Sequence, residues 1–73
     1  MKGISHPTKI KVLETLKANE VNMEKLSKLT RIPAVMLKGV IAELKADGYI
    51  EEREGVLRIT DSGIEALNSL KEF

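Results

Sequence analysis

Pro33 constrains the fold of this chain more than any other residue, because it separates two short stretches whose apolar residues have helical spacing. The residue before a proline is pushed out of helical geometry, so the first stretch ends around Thr30. Proline suits the first position of a helix, where its missing amide would be unpaired anyway. The sequence therefore predicts a helix, a turn formed by Thr30, Arg31 and Ile32, and a second helix over about residues 33–47.

Both of these helices have end signals in the sequence. Asn22 is a favourable N-cap for the first helix, in which Leu26 and Leu29 form a short apolar face. Gly48 suits the end of the second helix, because glycine readily adopts the left-handed conformation that follows many helices. The stripe predicted to be buried in the second helix consists of Leu37, Ile41 and Leu44, with Val40 at its edge.

A further amphipathic stretch precedes this pair. Ser5 is a favourable N-cap, and Pro7 is tolerated in the first turn of the helix that follows and ends near Asn19. Val21 lies between polar neighbours and predicts a bridge of strand at most. This first helix completes a set of three before the strands.

The chain after the third helix alternates apolar and polar residues over two short runs. Residues 50–53 and 56–59 predict an antiparallel hairpin, with Glu54-Gly55 as its two-residue turn. Thr60 is a favourable N-cap for a last helix. The apolar stripe of that helix consists of Ile64, Leu67 and Leu70.

The composition excludes several classes of function. The chain has no cysteine, which rules out a disulfide framework, a thiolate zinc site and a cysteine nucleophile. His6 is the one histidine, so it has no second imidazole with which to coordinate a metal. No catalytic triad, glycine-rich phosphate loop or paired-carboxylate pocket can be assembled from the remaining residues. We therefore expect no enzyme activity, no cofactor and no metal, and no small-molecule effector is evident from the sequence.

The hydropathy pattern places the chain outside the membrane. No apolar run approaches the roughly 20 residues that span a bilayer, and the N-terminus lacks the apolar stretch of a signal peptide. A cytoplasmic protein is expected. The absence of glutamine and cysteine, with nine lysines and nine glutamates, is typical of hyperthermophile proteins.

The net charge is only +1, but the charges are unevenly distributed. Residues 1–47 carry nine basic and five acidic side chains, whereas residues 48–73 carry three basic and six acidic ones. The basic half contains both helices beside Pro33. That half is therefore the one suited to bind nucleic acid.

Residues 26–50 carry the most specific pattern. Leu26-Ser27-Lys28-Leu29-Thr30-Arg31-Ile32-Pro33, followed by Leu37, Ile41, Leu44, Gly48 and Ile50, resembles the helix-turn-helix of the winged-helix regulators, including the MarR, ArsR and PadR groups. The resemblance extends to residues 5–13 and to residues 57–63, which are similar to the corner after the wing in many archaeal and bacterial members. It implies a winged helix-turn-helix fold, α+β but mainly α, and a regulator of transcription that binds double-stranded DNA.

The resemblance covers nearly the whole chain, whose 73 residues leave room for one domain with one modest core. We therefore predict a single domain over residues 1–73. Within it we expect the helix-turn-helix over about 23–47, the hairpin or wing over about 50–59, and the C-terminal helix over about 60–73.

The resemblance also implies which surfaces contact DNA. The third helix is expected to enter the major groove, with the wing along an adjacent groove or the phosphate backbone. The contacts predicted in the helix-turn-helix are Lys25, Lys28, Arg31, Ala34, Val35, Met36, Lys38 and Gly39. Relatives often have Ser, Thr, Arg or Gln on the exposed part of the third helix, where this chain has mostly small or apolar residues. Modest sequence specificity is therefore expected.

The wing contributes two further predicted DNA contacts, Arg53 and Arg58. They are its only cations and lie among Glu51, Glu52 and Glu54. Arg53, near the tip, reaches the minor groove or the backbone in one interpretation and forms a local ion pair in the other. The acidic neighbours favour a weakly engaged wing.

Helices one and four are predicted to carry more apolar surface than a core of this size covers. The excess predicts a homodimer that binds a pseudo-palindromic site, and the resemblance implies that such helices often form a two-fold interface. The residues assigned to that interface are Val12, Ala66, Leu70 and Phe73.

Other functions remain open for the same surfaces. Val35 and Met36 suit a protein-contact patch on a winged helix that has lost its DNA-binding role, and the lysine cluster suits RNA as well as DNA. A third interpretation buries some of these apolar side chains in the core.

Overall fold

Four helices and one hairpin make up the described part of the chain. The computed structural model describes the backbone of residues 7–71 and the side chains of residues 7–69. The elements are α1 (Pro7–Ala18), α2 (Met23–Thr30), α3 (Ala34–Ala46), β1 (Ile50–Arg53), β2 (Val56–Ile59) and α4 (Asp61–Lys71). Their order and type confirm the prediction. The cap predicted at Ser5 lies outside the described residues.

Helix α2 and the turn after it are fixed by side-chain hydrogen bonds. The Lys25 amide donates to Asn22 Oδ1 at 2.8 Å, which confirms the N-cap. At the other end Arg31 adopts a left-handed conformation with φ of 62°, and its amide donates to the Ser27 carbonyl oxygen at 2.8 Å. The Ser27 hydroxyl donates to the Ile32 carbonyl oxygen at 2.6 Å. Ser27 therefore joins the last turn of α2 to the segment that leads into α3.

The wing is a two-residue hairpin. Strands β1 and β2 pair antiparallel, in a register that runs from Ile50 opposite Ile59 to Arg53 opposite Val56. The residues between the strands both have positive φ, 54° at Glu54 and 80° at Gly55, as a type I′ turn requires. This register confirms the hairpin predicted from the alternating pattern.

Val21 attaches the loop between α1 and α2 to the wing. It forms an isolated antiparallel bridge with Leu57, whose amide donates to the Val21 carbonyl oxygen at 2.8 Å. The predicted bridge of strand is thus confirmed. It places the base of the wing beside the start of α2.

One buried cluster holds these elements together. Its members come from all four helices and both strands: Val12, Leu13, Leu16, Leu26, Leu37, Ile41, Leu44, Ile50, Leu57 and Leu67. The predicted stripe of α3 is therefore confirmed. The cluster is entirely aliphatic, and Tyr49 packs against its edge.

The residues of α2 that face the core are not the pair that was predicted to form its apolar face. Leu26 is fully buried, but Leu29 is 44% exposed, and Thr30 is the second residue of α2 that enters the core. Residues 26 and 30 are four apart and share one side of a helix. Burial of Thr30 is possible because its hydroxyl donates to the Leu26 carbonyl oxygen at 2.8 Å and accepts from the Ile32 amide at 3.3 Å.

The start of helix α4 is hydrogen-bonded to the segment that connects α3 to strand β1. The Thr60 hydroxyl accepts from the Gly63 amide at 3.1 Å, which confirms the predicted cap, and donates to the Gly48 carbonyl oxygen at 2.6 Å. The Thr60 amide donates to the Tyr49 carbonyl oxygen at 2.9 Å. Gly63 is buried here, and a Cβ on it would overlap the Tyr49 carbonyl oxygen and the Ile59 side chain.

The result is a winged helix-turn-helix: α2, the turn and α3 form the motif, the β1–β2 hairpin is the wing, and α1 and α4 pack behind them. The arrangement confirms the predicted fold class. None of the helices within residues 7–71 is long and apolar enough to cross a membrane.

Candidate nucleic-acid interface

Helix α3 presents one face to the core and the opposite face to solvent. Val35 is 80% exposed and Met36 57% exposed. The interpretation that buried these side chains in the core is therefore wrong. Space around Gly39 is open, because no described atom beyond its chain neighbours and the nearby backbone of α3 lies within 4 Å of a Cβ placed there. The exposed positions in the first two turns and at the start of the third are Ala34, Val35, Met36, Lys38, Gly39 and Ala42.

The predicted cations of the helix-turn-helix share one property: each is exposed and lacks an acidic partner. Among the described side chains no carboxylate lies within 4.0 Å of any of them. They are Lys25 and Lys28 on α2, Arg31 in the turn and Lys38 on α3. Their positive charge is therefore available to an external anion.

Two other lysines near α3 are held in ion pairs. Lys9 Nζ on α1 lies 2.7 Å from Glu43 Oε1, on the α3 side that faces α1. Lys45 Nζ lies 2.5 Å from Glu52 Oε1, which attaches the last turn of α3 to strand β1. These pairs hold the C-terminal half of α3 against elements on two sides.

The surroundings of Lys9 raise its pKa. The hydrogen bond to Glu43 raises the pKa of Lys9 above its usual value of 10.5, partial loss of water opposes that shift, and the negative charges of Glu43 and Asp47 add to it. Lys9 is therefore fully charged at neutral pH. Both members of the pair therefore carry opposite charges around neutral pH.

The two arginines of the wing have different surroundings. Arg58 Nε lies 3.4 Å from Glu51 Oε2, and Arg58 Nη2 lies 3.7 Å from Glu20 Oε2. Arg58 is thus already neutralised at the base of the wing, which argues against its predicted contact with DNA. Arg53 beside the turn is exposed, and no described carboxylate lies within 4.0 Å of it. The local ion pair considered for Arg53 is formed by Arg58 instead.

Two of the four predicted dimer residues, Val12 and Ala66, have side chains that the structure describes. Val12 is fully buried in the core of the single chain, so its assignment to an interface is wrong. The sequence pattern did not show that Val12 is buried within the single chain. Its burial follows from the tertiary packing of α1, which contacts α2, α3, α4 and β2. Ala66 is half-buried and borders a shallow groove with Tyr49, Ser62, Glu65 and Ser69. The Leu70 side chain and Phe73 lie outside the described residues.

Lys45 is a residue that sequence reasoning missed at this surface. It lies seven residues after Lys38 and therefore on the same side of α3. Because Lys45 pairs with Glu52 on strand β1, this side of α3 faces the wing. The spacing of Lys38 and Lys45 can be read from the sequence. The pairing of Lys45 with Glu52 cannot, because it depends on how α3 and β1 are placed relative to each other in the tertiary structure.

Comparison with known proteins gives matches of structure only. No family model and no curated protein matches the sequence. The structure of ligand-free NadR superposes with a TM-score of 0.82 at 19% identity, over 92% of this chain and 52% of that one. A protein of unknown function from Listeria innocua Clip11262 superposes with a TM-score of 0.84 at 23% identity, over 94% of this chain and 52% of that one. The chain spans about half the length of both solved chains, and the likeness is one of fold.

Proposed function

We propose that this chain is a regulator of transcription that binds double-stranded DNA in the cytoplasm, with α3 in the major groove. One observation carries the proposal: among the described side chains, no carboxylate pairs with Lys25, Lys28, Arg31 or Lys38 on the helix-turn-helix, whereas Lys9 and Lys45 beside the C-terminal half of α3 are paired. Unpaired cations beside an exposed recognition helix are the arrangement that phosphate contacts require.

The structural likeness supports the same function. This chain has the fold of about half of the NadR chain, and residues 26–50 resemble the helix-turn-helix of the winged-helix regulators. A fold alone does not establish a function. The charge distribution on this chain's own motif is therefore the stronger support.

The proposal gives a defined dependence on salt. If the four cations each displace one condensed counterion, the logarithm of the association constant falls against the logarithm of salt with a slope of roughly −3.6. Sequence specificity is modest, because the exposed face of α3 offers Lys38 as its one donor to a base edge among the positions in its first two turns. Arg53 adds a contact if the wing tip reaches the backbone.

The test is a titration of duplex DNA at several salt concentrations with matched charge reversals. Lys28→Glu with Lys38→Glu is expected to reduce the slope to roughly −1.8 and to weaken binding strongly. Lys11→Glu with Lys17→Glu makes the same change of charge on the exposed face of α1 and is expected to leave the slope near that of the unmodified chain. Binding that survives the first pair unchanged would contradict the proposed face.

Single-stranded DNA and duplex RNA serve as competing ligands in the same titration. Tighter binding of duplex RNA than of duplex DNA would replace the proposal with an RNA-binding function. Absence of duplex DNA binding at low salt, with the fold intact by circular dichroism, would refute it.

A protein-interaction module is the second candidate. The large exposed apolar side chains of α2 and α3, namely Leu29, Val35 and Met36, favour it, because monomeric proteins usually scatter such side chains. In that case Val35→Glu leaves DNA binding unchanged. If α3 enters the major groove, the same variant weakens DNA binding by placing a negative charge beside the phosphates.

The homodimer also stays a proposal. Two copies double the phosphate contacts and read two half-sites about one helical turn apart. Sedimentation equilibrium tests this directly. A monomer throughout the high micromolar range would contradict it.

A further inference from the structure

The face of α3 that points to solvent differs chemically from a hydrogen-bonding recognition surface. Val35 and Met36 are the large exposed side chains in its first turn, at 80% and 57% exposure. Ala34, Gly39 and Ala42 are exposed beside them and offer only methyl groups or bare backbone. Over these positions, Lys38 is the one side chain that can donate a hydrogen bond, and none accepts one.

The charges around this apolar face identify what it fits. Lys38 lies on its wing side. Lys25, Lys28 and Arg31 on the preceding helix and turn likewise have no carboxylate within 4.0 Å among the described side chains. An apolar surface bordered by free cations complements a ligand that combines negative charge with exposed hydrocarbon. Duplex DNA has both in the major groove, where phosphates border the groove and thymine presents its C5 methyl group.

We infer that α3 reads pyrimidine C5 methyl groups in the major groove, through Val35 and Met36, so that the preferred ligand is duplex DNA with thymines at the contacted positions. The inference depends on the proposed DNA-binding function and adds the chemical feature that is recognised. Thymine differs from uracil, and 5-methylcytosine from cytosine, only by this methyl group. The selected feature can therefore be removed or added without changing the hydrogen-bonding groups of the bases.

The absence of a side chain at Gly39 allows α3 to approach the bases closely. Apart from its chain neighbours and the nearby backbone of α3 itself, no described atom lies within 4 Å of a Cβ placed at this position, so packing against the other described elements does not require the glycine. It lies four residues after Val35, one turn along the same side of the helix. A bare backbone there allows the groove floor to approach the helix more nearly than a longer side chain would permit.

The test compares a duplex rich in A·T pairs with the same duplex containing deoxyuridine in place of thymidine. The full chain is expected to bind the deoxyuridine duplex about fourfold more weakly for each thymine methyl group that is removed from the interface. A second pair of duplexes, with cytosine or 5-methylcytosine at G·C positions, is expected to show the opposite change, with the methylated form bound more tightly. The second pair separates contact with methyl groups from a general effect of A·T pairs on DNA flexibility.

Two matched variants locate the effect on α3. Val35→Ala is expected to lower the preference for thymine over uracil, because it removes the two γ-methyl groups of the more exposed of the two contacting side chains. Val56→Ala makes the same change at an exposed valine of the wing and is expected to keep the preference. Both positions are exposed, so neither substitution removes a buried side chain.

The outcomes distinguish this inference from the function on which it depends. Equal affinity for the thymidine and deoxyuridine duplexes overturns the inference and leaves DNA binding in place, as does an unchanged preference in Val35→Ala. Failure to bind any duplex at low salt overturns both.

Discussion

Two glycines in helices of this chain lie in opposite environments. Gly63 in α4 is buried, and a Cβ there would meet the Tyr49 carbonyl oxygen, which cannot move without shifting the backbone. Gly39 in α3 faces open space. Gly63→Ala is therefore expected to lower the free energy of unfolding by about 1–3 kcal/mol. Gly39→Ala is expected to raise it by about 0.5–1 kcal/mol, because alanine is the better helix former.

Urea denaturation followed by circular dichroism measures both changes without DNA. Each variant serves as the control of the other, since the chemical change is the same. A stable Gly63→Ala chain would show that α4 packs less closely on the Tyr49–Ile59 corner than the structure has it.

Arg31 has a backbone conformation that its side chain disfavours. Its φ of 62° lies in the left-handed region, where a residue with a Cβ is strained by roughly 1–2 kcal/mol and glycine is not. Arg31→Gly is therefore expected to stabilise the chain by up to about 1 kcal/mol. If Arg31 contacts a phosphate, the same variant weakens DNA binding and reduces the magnitude of the salt slope by about 0.9.

A thermal melt and a salt titration on this one variant separate the two roles. Greater stability with unchanged DNA affinity would remove Arg31 from the interface. Lower stability would contradict the assignment of strain at the turn.

At the scale of single residues, the sequence is a good guide to caps and a poor guide to burial. Asn22 and Thr60 are predictable as N-caps because the relevant hydrogen bonds are local. The prediction that Leu29 belongs to a buried face is wrong, and so is the prediction that Val12 is surplus to the core. Burial depends on which elements cover a residue, and for short helices such as α2 the apolar pattern alone does not give the direction of the core.

Helix α3 as an element is held by ion pairs on two sides. We expect the pair to the wing to affect DNA binding. Lys45 lies on the side of α3 that also carries Lys38, but Glu52 neutralises it. Glu52→Gln is expected to release Lys45 for a phosphate contact, to raise affinity and to steepen the salt slope by about 0.9. The pair is partly exposed, so its loss costs at most about 1 kcal/mol of stability.

Glu51→Gln provides the matched control, because it removes the same negative charge from the same strand, at a residue that pairs with Arg58 instead. Both variants gain affinity from the weaker repulsion by the wing. The difference between their salt slopes isolates the release of Lys45. Identical slopes would mean that Lys45 does not reach the DNA backbone.

Elements are predictable to within one or two residues at most ends, because proline, glycine and cap residues mark them directly. Pro33 and Gly48 bracket α3, and Glu54-Gly55 forms the turn of the wing with both residues at positive φ. The ion pairs that join α3 to its neighbours are not predictable in this way. They depend on the placement of α1 and the wing against α3, which local patterns do not contain.

The molecule as a whole has a net charge of only +1, but its charges are unevenly distributed along the chain. The contribution of Lys9 to the stability of the fold is expected to change little with pH around neutrality. The pKa of Lys9 is raised in the folded state above 10.5. A raised pKa stabilises the fold fully below the unfolded value, and that contribution is lost as pH rises through the folded value. The difference in stability between the unmodified chain and Lys9→Met is therefore expected to stay constant near neutral pH and to shrink above pH 10.5.

Denaturation curves at a series of pH values, repeated with Glu43→Gln and with both changes together, measure this coupling. The double-mutant cycle removes the contributions that do not depend on the Lys9–Glu43 pair. A difference that declined already at neutral pH would place the pKa shift of Lys9 in the wrong direction.

The hydroxyl of Thr60 makes the helix-turn-helix, the wing and α4 one cooperative unit. It bonds the loop that ends α3 and the first turn of α4 at the same time, while the neighbouring Thr60 amide bonds Tyr49. Because one hydroxyl makes both bonds, displacement of either element is expected to weaken the contact with the other. The amides of Thr60 and Gly63 are therefore expected to exchange their hydrogens with solvent through a common opening, and Thr60→Val should split that opening into separate local ones.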